Sequence, residues 1–331
     1  MRKNIQTALL LLLLLLPSLP SFATARKTAT GIIISGSGGN VRAMEPFGGS
    51  AKRMEAYAAA VNAAKAKLGP YVNVYCMIYP NSTAFYCPPE AKQWTRDQKA
   101  AITSLYSHIS PDVKKVDAYS ALAAHTSEPI YSRTDHHWAP LGAYYAAQAL
   151  ARKAGVDFLP LSSYTKKVTH SYVGSMAAFS KDAAVRNAPE DFVYYVPNTV
   201  KYTVTYIPYI GSGKVKREGK PQAGKLFYHY KDGSGAAYCT FMQGDQKIAQ
   251  IKTDRHNGRR LLILKDSYGN ALPGYLLGSF EEVHVVDFRY FNRNLPRYVK
   301  EHGITDVVFA NNLVHANNAA VAAAYQRFLK Q

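Results

Sequence analysis

The residues that could do chemistry gather in two short strings. The first is Ser132-Arg133-Thr134-Asp135-His136-His137-Trp138-Ala139-Pro140, which puts an acid, two imidazoles and one of two tryptophans within four residues. The second, Lys265-Asp266-Ser267-Tyr268-Gly269-Asn270, lies far downstream. A serine hydroxyl is a poor nucleophile until a base takes its proton and a carboxylate fixes that base. Ser267 as nucleophile, His137 as base and Asp135 as the orienting acid would fill those three roles. Other chemistry fits the same residues. Asp-Ser before a helix is an ordinary N-cap. Asp135 with two histidines is also the donor set of a two-histidine, one-carboxylate metal site. A loop packed by Trp138 would need neither. Adjacent residues rarely both bind one metal well, and the dinuclear phosphoesterases with an Asp-His-His string carry a further aspartate cluster. Before Asp135 this chain has only Asp97, Asp112 and Asp117, none of them paired. The expectation is therefore no metal and no cofactor.

The elements around these strings alternate. Gly31-Ile32-Ile33-Ile34 reads as a strand running into a glycine-rich turn, and no Gly-Lys-Ser/Thr closes that turn into a phosphate loop. The pattern predicts helices over Ala51–Leu68, Gln98–Ile109 and Leu141–Lys153, and strands over Val72–Tyr79 and Val113–Asp117. Ser120 is read as the cap of a short helix over residues 121–124. From Val156 to Asn257 the chain turns rich in Tyr, Val, Thr and Lys, with turn signals such as Gly211-Ser212-Gly213. This reads as a β-rich insertion in a single domain spanning residues 26–331. Alternation then returns: strand Arg260–Leu264, turn and helix Tyr268–Leu277, strand Glu282–Phe288, helix Asn294–His302, strand Thr305–Ala310 and terminal helix Ala319–Leu329. Strands alternating with helices imply an α/β layered fold with a parallel sheet. Such sheets bind ligands at the C-terminal strand ends, where Asp266-Ser267, Asp287/Arg289 and Asn311-Asn312 all fall. There the Ser267 N–H would meet the positive end of a helix and could help hold an oxyanion.

The first 25 residues read as a signal peptide. Arg2 and Lys3 precede a leucine-rich run, Pro17 breaks it, and Ala23-Thr24-Ala25 is a small-x-small cleavage site. No later stretch is apolar enough to span a bilayer. The expected mature protein is exported, to the periplasm, the wider cell envelope or the extracellular space. The net charge of +18 falls to +16 when Arg2 and Lys3 leave with the signal. A strongly basic chain favours anionic partners, and export argues for glycans or headgroups over nucleic acid. An oxidising compartment makes one disulfide plausible among Cys76, Cys87 and Cys239, with Cys87–Cys239 weakly preferred and the pairing otherwise open.

Asp135-His136-His137-Trp138, with Lys265-Asp266-Ser267-Tyr268-Gly269-Asn270 and Asp287-Phe288-Arg289-Tyr290, is similar to the DHHW proteins of bacteria. These resemble the SGNH-like domains of the periplasmic alginate O-acetyltransferases AlgJ and AlgX. The resemblance implies an SGNH-hydrolase-like fold in permuted order, with acid and base preceding the nucleophile. It implies Asp135, His137 and Ser267 as a catalytic triad. It aligns Asn311-Asn312 with the oxyanion asparagine, Asn312 being favoured. It leaves Arg289 to bind a carboxylate or acetyl oxygen, unless a salt bridge to Asp287 or Asp266 occupies it. Trp138 would be packing or a sugar platform. Lys265 stands where the pattern has glycine before Asp-Ser, and no glycine lies near Asp287–Arg289. The implied function is an exported serine acyl-transfer enzyme, an O-acetyltransferase or acetylesterase acting on a cell-surface or exported, possibly anionic, polysaccharide. A membrane acyl-transfer partner is implied on the same ground. Two rivals remain: a non-catalytic glycan-binding or assembly factor, and a phospholipid or thioester hydrolase.

Overall fold

A computed structural model describes residues 25–211 and 217–330. The expected signal peptide lies outside the described residues, apart from Ala25. The frame is an eight-stranded sheet. Numbering only its strands in chain order, they are β1 (Asn73–Tyr79), β2 (Lys114–Val116), β3 (Tyr202–Ile207), β4 (Gln222–Gly224), β5 (Ile248–Thr253), β6 (Arg260–Lys265), β7 (Glu282–Asp287) and β8 (Asp306–Asn312). Their spatial order is β4-β3-β5-β7-β6-β8-β1-β2. The run β7-β6-β8-β1-β2 is parallel, and β5, β3 and β4 extend it antiparallel.

The parallel strands are apolar on both faces because both faces are covered. In β1, Tyr75, Met77 and Tyr79 enter one core while Val74, Cys76 and Ile78 enter the other. In β6, Leu261 and Ile263 divide from Leu262 and Leu264 in the same way. This is the two-residue period of a pleated strand. Helices Ala51–Leu68, Gln98–Ser107, Leu295–Glu301 and Ala319–Phe328 cover one face. Helix Pro140–Ala154, the short helix Pro273–Leu276 and an antiparallel hairpin, Tyr164–Tyr172 with Glu190–Pro197, cover the other.

Three expectations are corrected. The segment 156–257 is not simply an insertion, because β3, β4 and β5 are built from it and continue the main sheet. The helix expected over residues 121–124 starts at Ala118; Asp117 caps it by accepting the Ser120 N–H at 2.9 Å, so Ser120 is the donor and not the cap. No disulfide forms: Cys76, Cys87 and Cys239 are all free thiols. Among the described residues no helix is long and apolar enough to cross a membrane.

Candidate active site

The parallel strands end on one edge at Tyr79, Lys265, Asp287 and Asn312. Asp266 follows β6, and Ser267 after it opens a short 3-10 turn, Ser267–Ala271, which Asp266 caps. A first-turn N–H has no acceptor within its own turn, so the Ser267 amide is available as a donor.

The loop carrying Asp135 and His137 comes from the other side of the chain and is fastened from beneath. Glu190, at the start of the hairpin's second strand, accepts from the Arg133 N–H at 2.9 Å and from the Thr134 N–H and hydroxyl at 2.7 Å. The loop closes on itself through a bridge between Tyr131 and Trp138 and feeds straight into helix Pro140–Ala154, with proline at its first position.

Strand end and loop meet at Ser267. Its Oγ lies 2.8 Å from His137 Nε2, and His137 Nδ1 lies 2.6 Å from Asp135 Oδ1. The Asp135 carboxylate also accepts the His137 N–H at 2.9 Å and, on Oδ2, the Ser175 N–H at 2.8 Å. Burial pushes the Asp135 carboxyl up. The charge and hydrogen bond of His137, His136 and the Ser175 N–H outweigh that and hold it well below the usual carboxylate range. An ionised carboxylate can only accept. The proton between them therefore sits on Nδ1, and in the neutral imidazole Nε2 is then the acceptor facing the Ser267 hydroxyl. The imidazole is also clamped flat: the Tyr238 ring stacks on it at 3.8 Å and 5°. The Tyr238 hydroxyl donates to the carbonyls of Ser267 and Tyr268 at 3.0 and 2.8 Å. One tyrosine thus braces His137 and the Ser267 turn together.

The other expected site residues have different employment. Asn311 accepts from the hydroxyls of Tyr57 and Tyr325 and donates to Asp266, so its amide is spent inside the core. The Asn312 side chain caps the next short helix by accepting the Val314 N–H at 2.9 Å, and its Nδ2 points to the Tyr79 carbonyl. Each amide nitrogen thus already has an internal acceptor. Both asparagines serve Asp266 instead, the Asn312 N–H at 2.7 Å. Arg289 is held by Asp287 at 2.7 and 2.6 Å and by Asp245 at 2.7 Å, which is the salt-bridge alternative and not a carboxylate receptor. Trp138 is fully buried, donates to the Tyr268 carbonyl at 2.9 Å and packs at 4.3 Å on Tyr79; no sugar can reach it.

Lys265 explains its own departure from glycine. Its ammonium is buried, 2.6 Å from Asp287 and 3.2 Å from Asp245, and Asp245 also takes the Asn270 amide at 3.0 Å. The cluster ties the ends of β6 and β7 to the turn holding Ser267. On the other side His315 Nδ1 lies 3.1 Å from Asp266 as an ion-pair contact. Burial lowers its pKa, Asp266 raises it, and the balance is upward. His136 is not the base: its Nδ1 meets Ser175 Oγ at 2.6 Å, and burial together with the charge of His137 brings its pKa down to about 4. Ligand atoms of Asp135, His136 and His137 come within 4.8 Å of one another, but here hydrogen bonds to each other and to Ser175 and Ser267 engage them.

The family model for the DHHW protein matches residues 39–286. The chain belongs to the DHHW family. A DHHW protein from Eubacterium siraeum is similar at 36% identity and a TM-score of 0.83, the match covering 93% of this chain and 98% of that one. Bacillus cereus PatB1, solved with a sulfonyl adduct, shares the fold at 19% identity and a TM-score of 0.70, over 88% of this chain and 97% of its own. The O-acetyltransferase domain of Pseudomonas putida AlgJ superposes more loosely, with a TM-score of 0.46 at 15% identity over 86% and 95% of the two chains. No curated protein sequence matches this DHHW protein.

Sequence reasoning missed Tyr238, Ser175, Glu190 and Asp245, all from the β-rich segment. Nothing in their local patterns marks them, because their partners lie far away in the chain.

Proposed function

We propose that this DHHW protein is an exported serine acyl-transfer enzyme that moves an acetyl group to a hydroxyl of a cell-envelope or exported polysaccharide. The observation that carries the reading is the unbroken chain Ser267 Oγ–His137 Nε2 and His137 Nδ1–Asp135 Oδ1, at 2.8 and 2.6 Å. The Ser267 oxygen attacks the acyl carbonyl carbon of the donor while His137 Nε2 takes the serine proton. Asp135 stabilises the imidazolium. The carbonyl re-forms, the donor's leaving group departs with the proton from Nε2, and an acyl ester remains on Ser267. A sugar hydroxyl then gives its proton to Nε2 and attacks the ester carbon, and the Ser267 oxygen leaves and recovers the proton. Water in place of the sugar makes the same site an esterase. The Ser267 N–H is available as an oxyanion donor. The basic mature chain suits an anionic polysaccharide.

Sulfonyl fluorides test the nucleophile, because they sulfonylate activated hydroxyls. Treatment with phenylmethylsulfonyl fluoride is expected to add one sulfonyl group at Ser267, read by intact and peptide mass spectrometry. Ser267→Ala and His137→Ala should abolish the adduct together with p-nitrophenyl acetate hydrolysis. A wild-type protein that is neither sulfonylated nor acetylated would sink the reading. A second reading, a non-catalytic glycan-binding factor, is favoured by one observation: the Asn311 and Asn312 amides are both committed to internal partners. Binding of an anionic oligosaccharide by a wild-type protein that never acylates would decide for it.

A further inference from the structure

Three large apolar side chains stand open to solvent among the described residues: Tyr71, Phe179 and Ile210. Tyr71 precedes β1, on the opposite edge of the sheet from Ser267. Ile210 lies in the two-residue strand Tyr209–Ile210. Phe179, 49% exposed, is different because of what it adjoins. Its ring centroid is 5.4 Å from that of His136, which lies 3.7 Å from that of His137. Tyr238, His137, His136 and Phe179 form a row of rings that starts in the core beside the Ser267 hydroxyl and ends in water.

The row is rigid. Phe179 rides on the short helix Met176–Ser180, and hydrogen bonds staple the start of that helix to the loop carrying Asp135 and His137. The Gly174 N–H donates to Thr134 Oγ1 at 3.1 Å, the Ser175 N–H to Asp135 at 2.8 Å and the Met176 N–H to the Thr134 carbonyl at 2.9 Å, and Ser175 Oγ meets His136 Nδ1 at 2.6 Å. An exposed phenylalanine forfeits the gain from burial, and on a mobile loop it would mean little. Here it is held in fixed relation to the reacting oxygen. An aromatic face carries negative charge density that attracts polarised C–H groups, and a flat pyranose offers such C–H groups on one side and hydroxyls at its rim.

We propose that Phe179 is the stacking platform for the acceptor. A pyranose ring of the glycan lies with its C–H face on Phe179, and a rim hydroxyl is directed toward the acyl carbon on Ser267. Phe179 then fills the part that buried Trp138 cannot take. This assignment rests on the acyl-transfer reading above.

The test uses p-nitrophenyl acetate as donor, with cellopentaose and pentagalacturonate as neutral and anionic acceptor probes. Acetylated sugar and free acetate are measured together, so their ratio reports how the acyl-enzyme divides between sugar and water. Phe179→Ala is expected to lower the ratio by about tenfold, and Phe179→Trp to restore it, since indole also stacks. Indole fluorescence of the Phe179→Trp protein should shift as oligosaccharide is added. An unchanged ratio in Phe179→Ala, with acetyl-Ser267 still forming, overturns the platform. So does a slower acetylation of Ser267 at constant ratio, which would seat the donor or its carrier on Phe179. If wild-type Ser267 never acetylates, the transfer reading fails on its own. The fluorescence titration then decides the platform separately, and no response to either sugar overturns it.

Discussion

Gly174 lies directly against Asp135: a β-carbon at position 174 would sit 2.4 Å from the Asp135 Cβ and 2.5 Å from its Oδ2. The contact is steric, and backbone conformation does not enter, so the neighbours that must yield are the acid and the Tyr172 hydroxyl, which would lie 2.7 Å away. Gly174→Ala is expected to displace Asp135 from His137 and lower kcat/KM for an acetyl ester by about 100-fold, the usual cost of misplacing a catalytic group by an ångström. Ester kinetics beside a far-ultraviolet spectrum would show whether the loss occurs in a folded protein. Full activity in the alanine variant would mean that the loop relaxes without moving the acid.

Tyr238 separates two effects. Tyr238→Phe keeps the ring on His137 and deletes the hydroxyl that holds the Ser267 and Tyr268 carbonyls. It should cost about 1 kcal/mol of stability with a small change in rate. Tyr238→Leu removes the flat wall as well, and kcat should fall by about tenfold as the imidazole gains freedom to turn. Thermal melts and ester kinetics on the pair check this. An equal rate loss in Tyr238→Phe and Tyr238→Leu would place the effect in the hydroxyl instead.

His136 gives the fold a defined acid sensitivity. Its folded pKa is about 4 against an ordinary 6.5, lowered first by burial and then by the charge of His137. Between those values the unfolded chain binds a proton that the folded chain refuses, so stability rises with pH across the window and is lost on acidification from pH 6.5 toward 4. His136→Gln, which can still bond Ser175, should lose less of its melting temperature between pH 7 and pH 5 than the wild type. Parallel melting curves against pH for the two proteins would disprove the assignment.

Lys265→Met tests the buried ion cluster. The substitution keeps most of the unbranched stem but leaves Asp287 with Arg289 alone and Asp245 with Arg289 and Asn270. Breaking a buried pair costs about 3 kcal/mol or more, and the lower figure is expected because Arg289 remains. Urea denaturation measures it directly. A midpoint equal to wild type would show that the aspartates are served by Arg289 without help.

Much of the frame could be read from local pattern. The helix over Ala51–Leu68 is as expected, and the strands expected to end at Leu264, Phe288 and Ala310 end within two residues of those positions, at Lys265, Asp287 and Asn312, in keeping with runs of apolar residues punctuated by polar ones. The pairing of Ser267 with His137 was legible because both strings are chemically unusual. Side-chain direction was not. Asn311 and Asn312 sit at the expected strand end, yet the pleat and the helix cap turn their amides inward. Trp138 reads as a potential platform until the Tyr131–Trp138 bridge rotates it into the core. The role of 156–257 was obscured for a similar reason. Its short strands have the composition of any β segment, and only pairing with β7, which comes later in the chain, shows that β5 belongs to the main sheet.

The order of strands around Ser267 also sets when the site can exist. β6, which presents the serine, is flanked by β7 and β8, and both are later in the sequence. The carboxylate of Asp266 waits for the main-chain N–H of Asn312, 46 residues further on. A strand whose two neighbours are still unmade has no ladder to join, and pairings across such separations are slow to close. The cradle of Ser267 is therefore expected among the last features to form as the polypeptide folds, and a chain interrupted before β8 would carry Asp135, His137 and Ser267 without the strand pairings that hold Ser267 in place.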